Sequence, residues 1–166
     1  MARVDRGRRP VAILGDVSAS SGHSDESTDE STAAAAGAGA VHRGSCLCGA
    51  VRFAVAGALP GPDACHCTRC RKHSGHYFVS TDVPKAALTV EGAERVTWFH
   101  SSEKVRRGFC SVCGSSLFWE PLHRDWIGVA MGAFDGPTGT RLRIHIHVAD
   151  KGDYYAITDD LPQNEH

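Results

Sequence analysis

Cys46-Leu47-Cys48-Gly49-Ala50-Val51-Arg52-Phe53-Ala54-Val55 joins a C-x-C pair directly to a run that alternates with period two. The alternation from Ala50 to Val55 is that of a half-buried strand, and Gly57, Pro60, Gly61 and Pro62 break it. Residues i and i+2 of an extended backbone face one side, so Cys46 and Cys48 are expected to point at one ion from a strand. Two more clusters follow, Cys65-His66-Cys67-Thr68-Arg69-Cys70 and Cys110-Ser111-Val112-Cys113. The seven cysteines therefore divide as four plus three. A closed structural zinc takes four protein ligands, whereas a reactive zinc takes three and leaves a position for water or substrate. Pairing the C-x-C with the distant C-x-x-C gives a sealed site, and Cys65, Cys67 and Cys70 remain as the open one.

A disulfide framework fits these cysteines poorly. Their number is odd, and residues so close in sequence cannot bridge without severe strain. No secretory signal is legible: the apolar stretch Val11-Ala12-Ile13-Leu14 is far shorter than the roughly 7–15 residues of an h-region. Clustered thiols in a reducing cytoplasm are metal ligands or redox groups, and cytoplasmic placement is the expectation. A redox dithiol at Cys110 and Cys113 would need a strand–motif–helix context. Here Gly114 and then Leu117-Phe118-Trp119 read as a turn returning into a strand.

Short β-rich runs continue along the chain at Tyr77–Ser80, Ala87–Val90, Arg95–Phe99, Leu117–Trp119, Trp126–Met131 and Ile144–Val148. No segment carries a sustained helical repeat. The expectation is a mainly β fold stapled by zinc, with short strands and little helix, confined to a turn near Thr68–Arg71 or the Phe134–Thr140 loop. Residues 1–40 are Arg-rich, then Ser/Asp/Glu-rich, then Ala/Gly-rich, and are read as a disordered low-complexity tail. Residues 41–166 form one domain on this reading. Lys and Arg number 18 against 19 Asp and Glu, a net charge of −1, which argues against a nucleic-acid partner. No apolar run approaches the ~20 residues that span a bilayer.

Three motifs carry a resemblance. Gly44 to Phe53, Cys65 to Gly75 and Arg107 to Gly114 resemble the glutathione-dependent formaldehyde-activating enzyme family, which also includes centromere protein V. Asp159-Asp160-Leu161-Pro162-Gln163 is similar to its usual ending. The resemblance implies a β-tent fold and two zinc ions, with Cys46, Cys48, Cys110 and Cys113 on the structural ion. It implies Cys65, Cys67 and Cys70 on the catalytic ion, and a carbon–sulfur lyase activity joining glutathione to formaldehyde.

The residues beside the open site suggest further roles. His66 and His73 are candidate proton carriers, with His76 a third. Arg71 and Lys72 are candidate partners for glutathione carboxylates, as are Arg69 and the pair Arg106-Arg107, and Ser74 is a candidate hydrogen-bonding group. His145 and His147 alternate on an apolar run and read as satisfied or half-exposed side chains. The competing function is a non-catalytic zinc-stabilised β module that binds glutathione or a protein.

Overall fold

The computed structural model describes residues 39–166, so the expectation for residues 1–40 lies almost wholly outside it. Eleven strands and one α-helix are present among the described residues. A small sheet is made by β1 (Val41–Ser45), β2 (Arg52–Ala56) and β5 (Leu88–Glu91), in the order β1-β2-β5 and all antiparallel. The large sheet begins with β3 (Asp63–Cys65), followed by the helix α1 (Thr68–Ser74) and β4 (Phe78–Pro84). It continues through β6 (Val96–Ser102), β7 (Val105–Cys110), β8 (Ser116–Pro121) and β9 (Trp126–Ala130). The last two strands are β10 (Ile144–Ile146) and β11 (Gln163–Asn164), and the spatial order is β11-β10-β3-β4-β9-β8-β7-β6.

The expected mainly β architecture is therefore present, as is the helical turn at Thr68, which extends to Ser74. The Phe134–Thr140 loop holds no helix; the neighbouring helical turn is the short 3₁₀ segment Met131–Ala133. Strands β1, β3, β7 and β11 have no counterpart in the period-two reading. Pairing supplies what their composition does not: β3 is only three residues long but is bonded antiparallel to β4 and parallel to β10.

Apolar faces of the two sheets meet in one core. Phe53 and Val55 from β2 are buried with Leu117 and Phe118 from β8, Val83 from β4 and Val129 from β9. Phe53 makes edge contacts with Phe118 at 5.8 Å and Phe134 at 5.3 Å between ring centres. Each such pair contributes ~0.5–1.5 kcal/mol beyond the area it buries. Cys46, Cys70 and Cys110 join the same cluster, so both sulfur groups are rooted in packed structure.

Gly44 shows how closely the layers approach. A Cβ there would overlap the tip of the Phe53 ring and the Ala133 carbonyl oxygen, so ring and backbone meet where only glycine leaves room. The contact sits one residue from Ser45-Cys46 and fixes where the first cysteine pair emerges.

Candidate metal centre

The four-sulfur group lies between two hairpin tips. Cys46 follows β1, its N–H donates to the Val51 carbonyl at 2.9 Å, and Gly49 N–H donates back to the Cys46 carbonyl at 3.0 Å. Cys46 and Cys48 are thus carried by a tight turn rather than by the extended strand expected from their spacing. The turn satisfies the same geometric need, because it folds both sulfurs to one side, 3.5 Å apart. Cys110 ends β7, and Gly114 closes the second tip with φ of 78°, its N–H donating to the Cys110 carbonyl at 2.9 Å. Leu47 N–H donates to Ser115 Oγ at 3.0 Å and ties the two tips together.

All four Sγ atoms lie within 4.8 Å of one another, and Cys48 Sγ is 3.9 Å from Cys110 Sγ. Sulfurs ~2.3 Å from a common tetrahedral zinc stand ~3.8 Å apart, so the group fits such an ion. Backbone N–H groups already point at the sulfurs, from Val51 to Cys46 at 3.3 Å and from Val112 to Cys110 at 3.4 Å. The Ser115 hydroxyl and N–H draw the Cys113 thiol down to about 5. Donors of this kind stabilise thiolate, the form that binds metal.

The three-sulfur group is built differently. Cys65 ends β3, and Cys67 caps α1 with its Sγ accepting from the Cys70 N–H at 3.4 Å. Cys70 lies inside the helix and is buried. The three Sγ atoms also lie within 4.8 Å of one another. Hydrogen bonds from Cys65 and Cys70 hold the Cys67 thiol far below the ordinary range, while the bonds to Cys67 and Cys70 push Cys65 far above it. The donor set, all sulfur and closely spaced, fits a soft divalent metal.

The two groups differ in access. Cys65, Cys67 and Cys70 line a cavity of about 600 Å³, and none of the other four cysteines does. Its lining also includes Arg107, the stacked pair Trp119 and Trp126, and Ser80 with Asp82. Burial, reinforced by Asp63 and offset by Arg143, raises the Asp82 carboxyl to about 6. Gly128 leaves room for that carboxyl; a Cβ there would stand 3.2 Å from Asp82 Oδ1 and from Ser80 Oγ.

The sequence-proposed neighbours divide around this cavity. Arg69 lines it, whereas Arg71, Lys72 and Ser74 do not. Lys72 is exposed, and Ser74 Oγ donates to the Cys70 carbonyl at 2.9 Å, closing the helix end. His73 packs edge-on against Phe78 and Phe109, and burial together with the Arg107 charge lowers its pKa. His66 is fully buried and turned away from the cavity lining. Its Nδ1 meets the Tyr155 hydroxyl, its Nε2 meets His145 Nδ1 at 2.8 Å, and His145 Nε2 reaches Asp159 at 3.1 Å. Desolvation, with the His145 charge next, lowers the His66 pKa to about 4. His76 stacks beside Tyr77 and Tyr155 on that same side.

The histidine that does line the cavity is His147, which the period-two pattern had assigned to a strand side chain. Its φ of 56° places it in the left-handed region, unusual for a residue with a Cβ. The isolated backbone turn after Ile146 has no sequence signature, so the alternation gave no warning. Asp82 and Trp126 were likewise invisible as site residues, because their role comes from strand neighbours distant in sequence.

Comparison with known proteins agrees with this geometry. The family model described as glutathione-dependent formaldehyde-activating enzyme matches residues 41–150. A protein of Halomonas elongata named "Putative glutathione-dependent formaldehyde-activating enzyme" is 32% identical over 125 residues, covering 69% of this chain and 79% of its own. A crystal structure of a Rhodobacter sphaeroides protein is similar with a TM-score of 0.50 and 27% identity, over 57% of this chain and 89% of that one. With seven cysteines grouped as one sealed and one cavity-facing set inside the matched span, the chain belongs to the glutathione-dependent formaldehyde-activating enzyme family.

Proposed function

We propose that the protein joins glutathione, or a related small thiol, to formaldehyde or another small aldehyde, in the manner of a carbon–sulfur lyase. Zinc is the proposed metal at both sulfur groups, structural at Cys46, Cys48, Cys110 and Cys113 and reactive at Cys65, Cys67 and Cys70. The observation that carries the reading is the asymmetry of access: three sulfurs face the cavity of about 600 Å³, and the set of four does not. A cavity of this size suits a small-molecule ligand.

A zinc ion held by three thiolates would supply an open coordination position and a lowered pKa for a substrate thiol. The protein's own groups do the rest. The helix cap at Cys67 and the β3 terminus at Cys65 hold the sulfurs in place, and the Trp119–Trp126 wall excludes water from one side of the cavity. As the thiolate sulfur bonds to the carbonyl carbon, the C=O electron pair moves onto oxygen, which then needs a proton. His147, the histidine among the described residues that lines the cavity, is the proposed carrier. His66 acts on this proposal as a positioning residue, bracing the loop between two ligands through its bonds to His145 and Tyr155. His73, Arg71, Lys72 and Ser74 support the helix rather than touch the substrate.

Cobalt substitution tests the reading. Two Co²⁺ per chain are expected, and addition of glutathione should shift the thiolate-to-metal absorption of one of them. A spectrum indifferent to the thiol would leave a zinc-stabilised module with no substrate position.

A further inference from the structure

Arg106 and Arg107 are consecutive in β7, so their side chains leave opposite faces of the sheet. Arg106 has a carboxylate and a ring for partners. It pairs with Glu120, which Lys85 also contacts at 2.6 Å, and its guanidinium lies 4.1 Å from the Trp98 ring centre. Arg107 is 4% exposed, and among the described residues no carboxylate stands within ion-pair distance of it. Its Nη2 donates to Cys70 Sγ at 3.5 Å, while Nε and Nη1 have no partner. The sulfur group beside it answers its charge in part, but one long bond to sulfur leaves two buried donors without the hydrogen bonds they need. The side chain also lines the cavity, across the strand pair from Trp119.

We propose that Arg107 is an anion subsite of the cavity, holding a negatively charged oxygen of the substrate next to the three-sulfur group. The inference rests on the thiol-binding function proposed above and names the group that receives the substrate's charge. The planar guanidinium offers paired N–H donors matched to an oxygen anion. Two oxygens have this chemistry. One is a carboxylate carried by the thiol. The other is the former carbonyl oxygen, negative once the carbon–sulfur bond forms and before water or His147 protonates it. Arg106 leaves the other face of the strand and is paired there with Glu120.

The test compares wild type with Arg107→Gln and Arg107→Lys, each metal-loaded and carrying two metals per chain, so that folding is verified before binding is read. Calorimetric titration uses glutathione and its dimethyl ester, and turnover is measured with formaldehyde. If the anion is a carboxylate, wild type should bind the ester about 10- to 100-fold more weakly than the acid, as loss of a charged hydrogen bond predicts. Arg107→Gln should then bind acid and ester alike. If the anion is the developing oxyanion, Arg107→Gln should bind both thiols as wild type does and lose turnover by a similar factor. Arg107→Lys, which keeps the charge without the fork, should fall between the two and reads the same contrast if Arg107→Gln fails to fold. A variant holding two metals that matches wild type in affinity, acid–ester discrimination and turnover overturns the subsite alone. A wild type that binds neither thiol overturns the proposed function together with it.

Discussion

Gly92 is the position at which one methyl group should separate the two metal sites. It precedes the 3₁₀ turn Ala93–Arg95, and that turn braces both halves of the four-sulfur group. Gly92 approaches the backbone of Ala50, next to the Cys48 turn, and the Arg95 carbonyl accepts from Ser111 N–H at 2.8 Å inside the second tip. In Gly92→Ala the new Cβ would collide with the Ala50 carbonyl oxygen, which is backbone and cannot swing aside. The φ of 71° adds a second penalty, because an L-residue in the left-handed region costs about 1–2 kcal/mol. Overpacking adds about 1–3 kcal/mol, for a total of about 2–5 kcal/mol. Gly139→Ala is the control: φ is 68° and the added Cβ meets nothing within 4 Å, so it should lose only the backbone part. Denaturant unfolding of the zinc-loaded proteins gives the two losses, and a chelator challenge gives metal retention. Gly92→Ala should release one equivalent of metal early while the other stays. Equal stability losses in the two variants, or parallel release of both metals, would refute the bracing argument.

Four other substitutions bear on the site. Cys46→Ser should leave the protein unfolded or aggregated, because a structural zinc contributes on the order of 10 kcal/mol to folding, whereas Cys67→Ser should keep the fold and lose one metal; circular dichroism with metal counting separates these outcomes, and equal collapse would contradict the division. His145→Leu should cost about 1–3 kcal/mol by leaving the fully buried His66 Nε2 without a partner, and urea unfolding that shows no loss would remove His145 as a brace. Asp82 has a folded pKa of about 6, above its unfolded value near 3.8, so its contribution is favourable at low pH and is lost as pH rises through about 6. The stability of Asp82→Asn relative to wild type should therefore increase between pH 4 and 7, and a difference that is flat with pH would sink the assignment.

Cysteine spacing carried the site because sulfur ligands have few other reasons to cluster, and the four-plus-three division survives in the geometry of both groups. Strand alternation located β2, β4, β5, β6, β8, β9 and β10 for the same kind of reason: one face is buried and the other is not. β3 and β11 were illegible because three and two residues are too few to show a period, and long-range pairing alone defines them. β7 was hidden by Arg106-Arg107-Gly108, a polar run whose burial depends on Glu120, Trp98 and the cavity. Proximity in sequence to the ligands misdirected the search for neighbours of the open site. A helix of 3.6 residues per turn carries Arg71 and Lys72 away from the face that presents Cys70, whereas Ser74, one turn on from Cys70, spends its hydroxyl on the Cys70 carbonyl.

The two sulfur groups differ because the chain reaches them by different routes. A hairpin tip brings its backbone around on itself, so its N–H groups converge on the sulfurs and a second tip can close the fourth corner. Leu47 and Ser115 complete that closure by joining the tips. A strand running into a helix leaves one side of its three sulfurs open, since the chain continues away along the helix rather than turning back over them. At Cys65–Cys70 the outer side of the loop is sealed by the Tyr155–His66–His145–Asp159 chain, and the C-terminal segment is held there by His145 N–H donating to the Pro162 carbonyl at 2.9 Å. The inner side opens on the cavity, whose lining also includes Arg107, in contact with Cys70, and the tryptophan pair. Rigidity on one flank and access on the other are what the proposed substrate-binding metal would require, and both follow from placing three cysteines across a strand–helix junction.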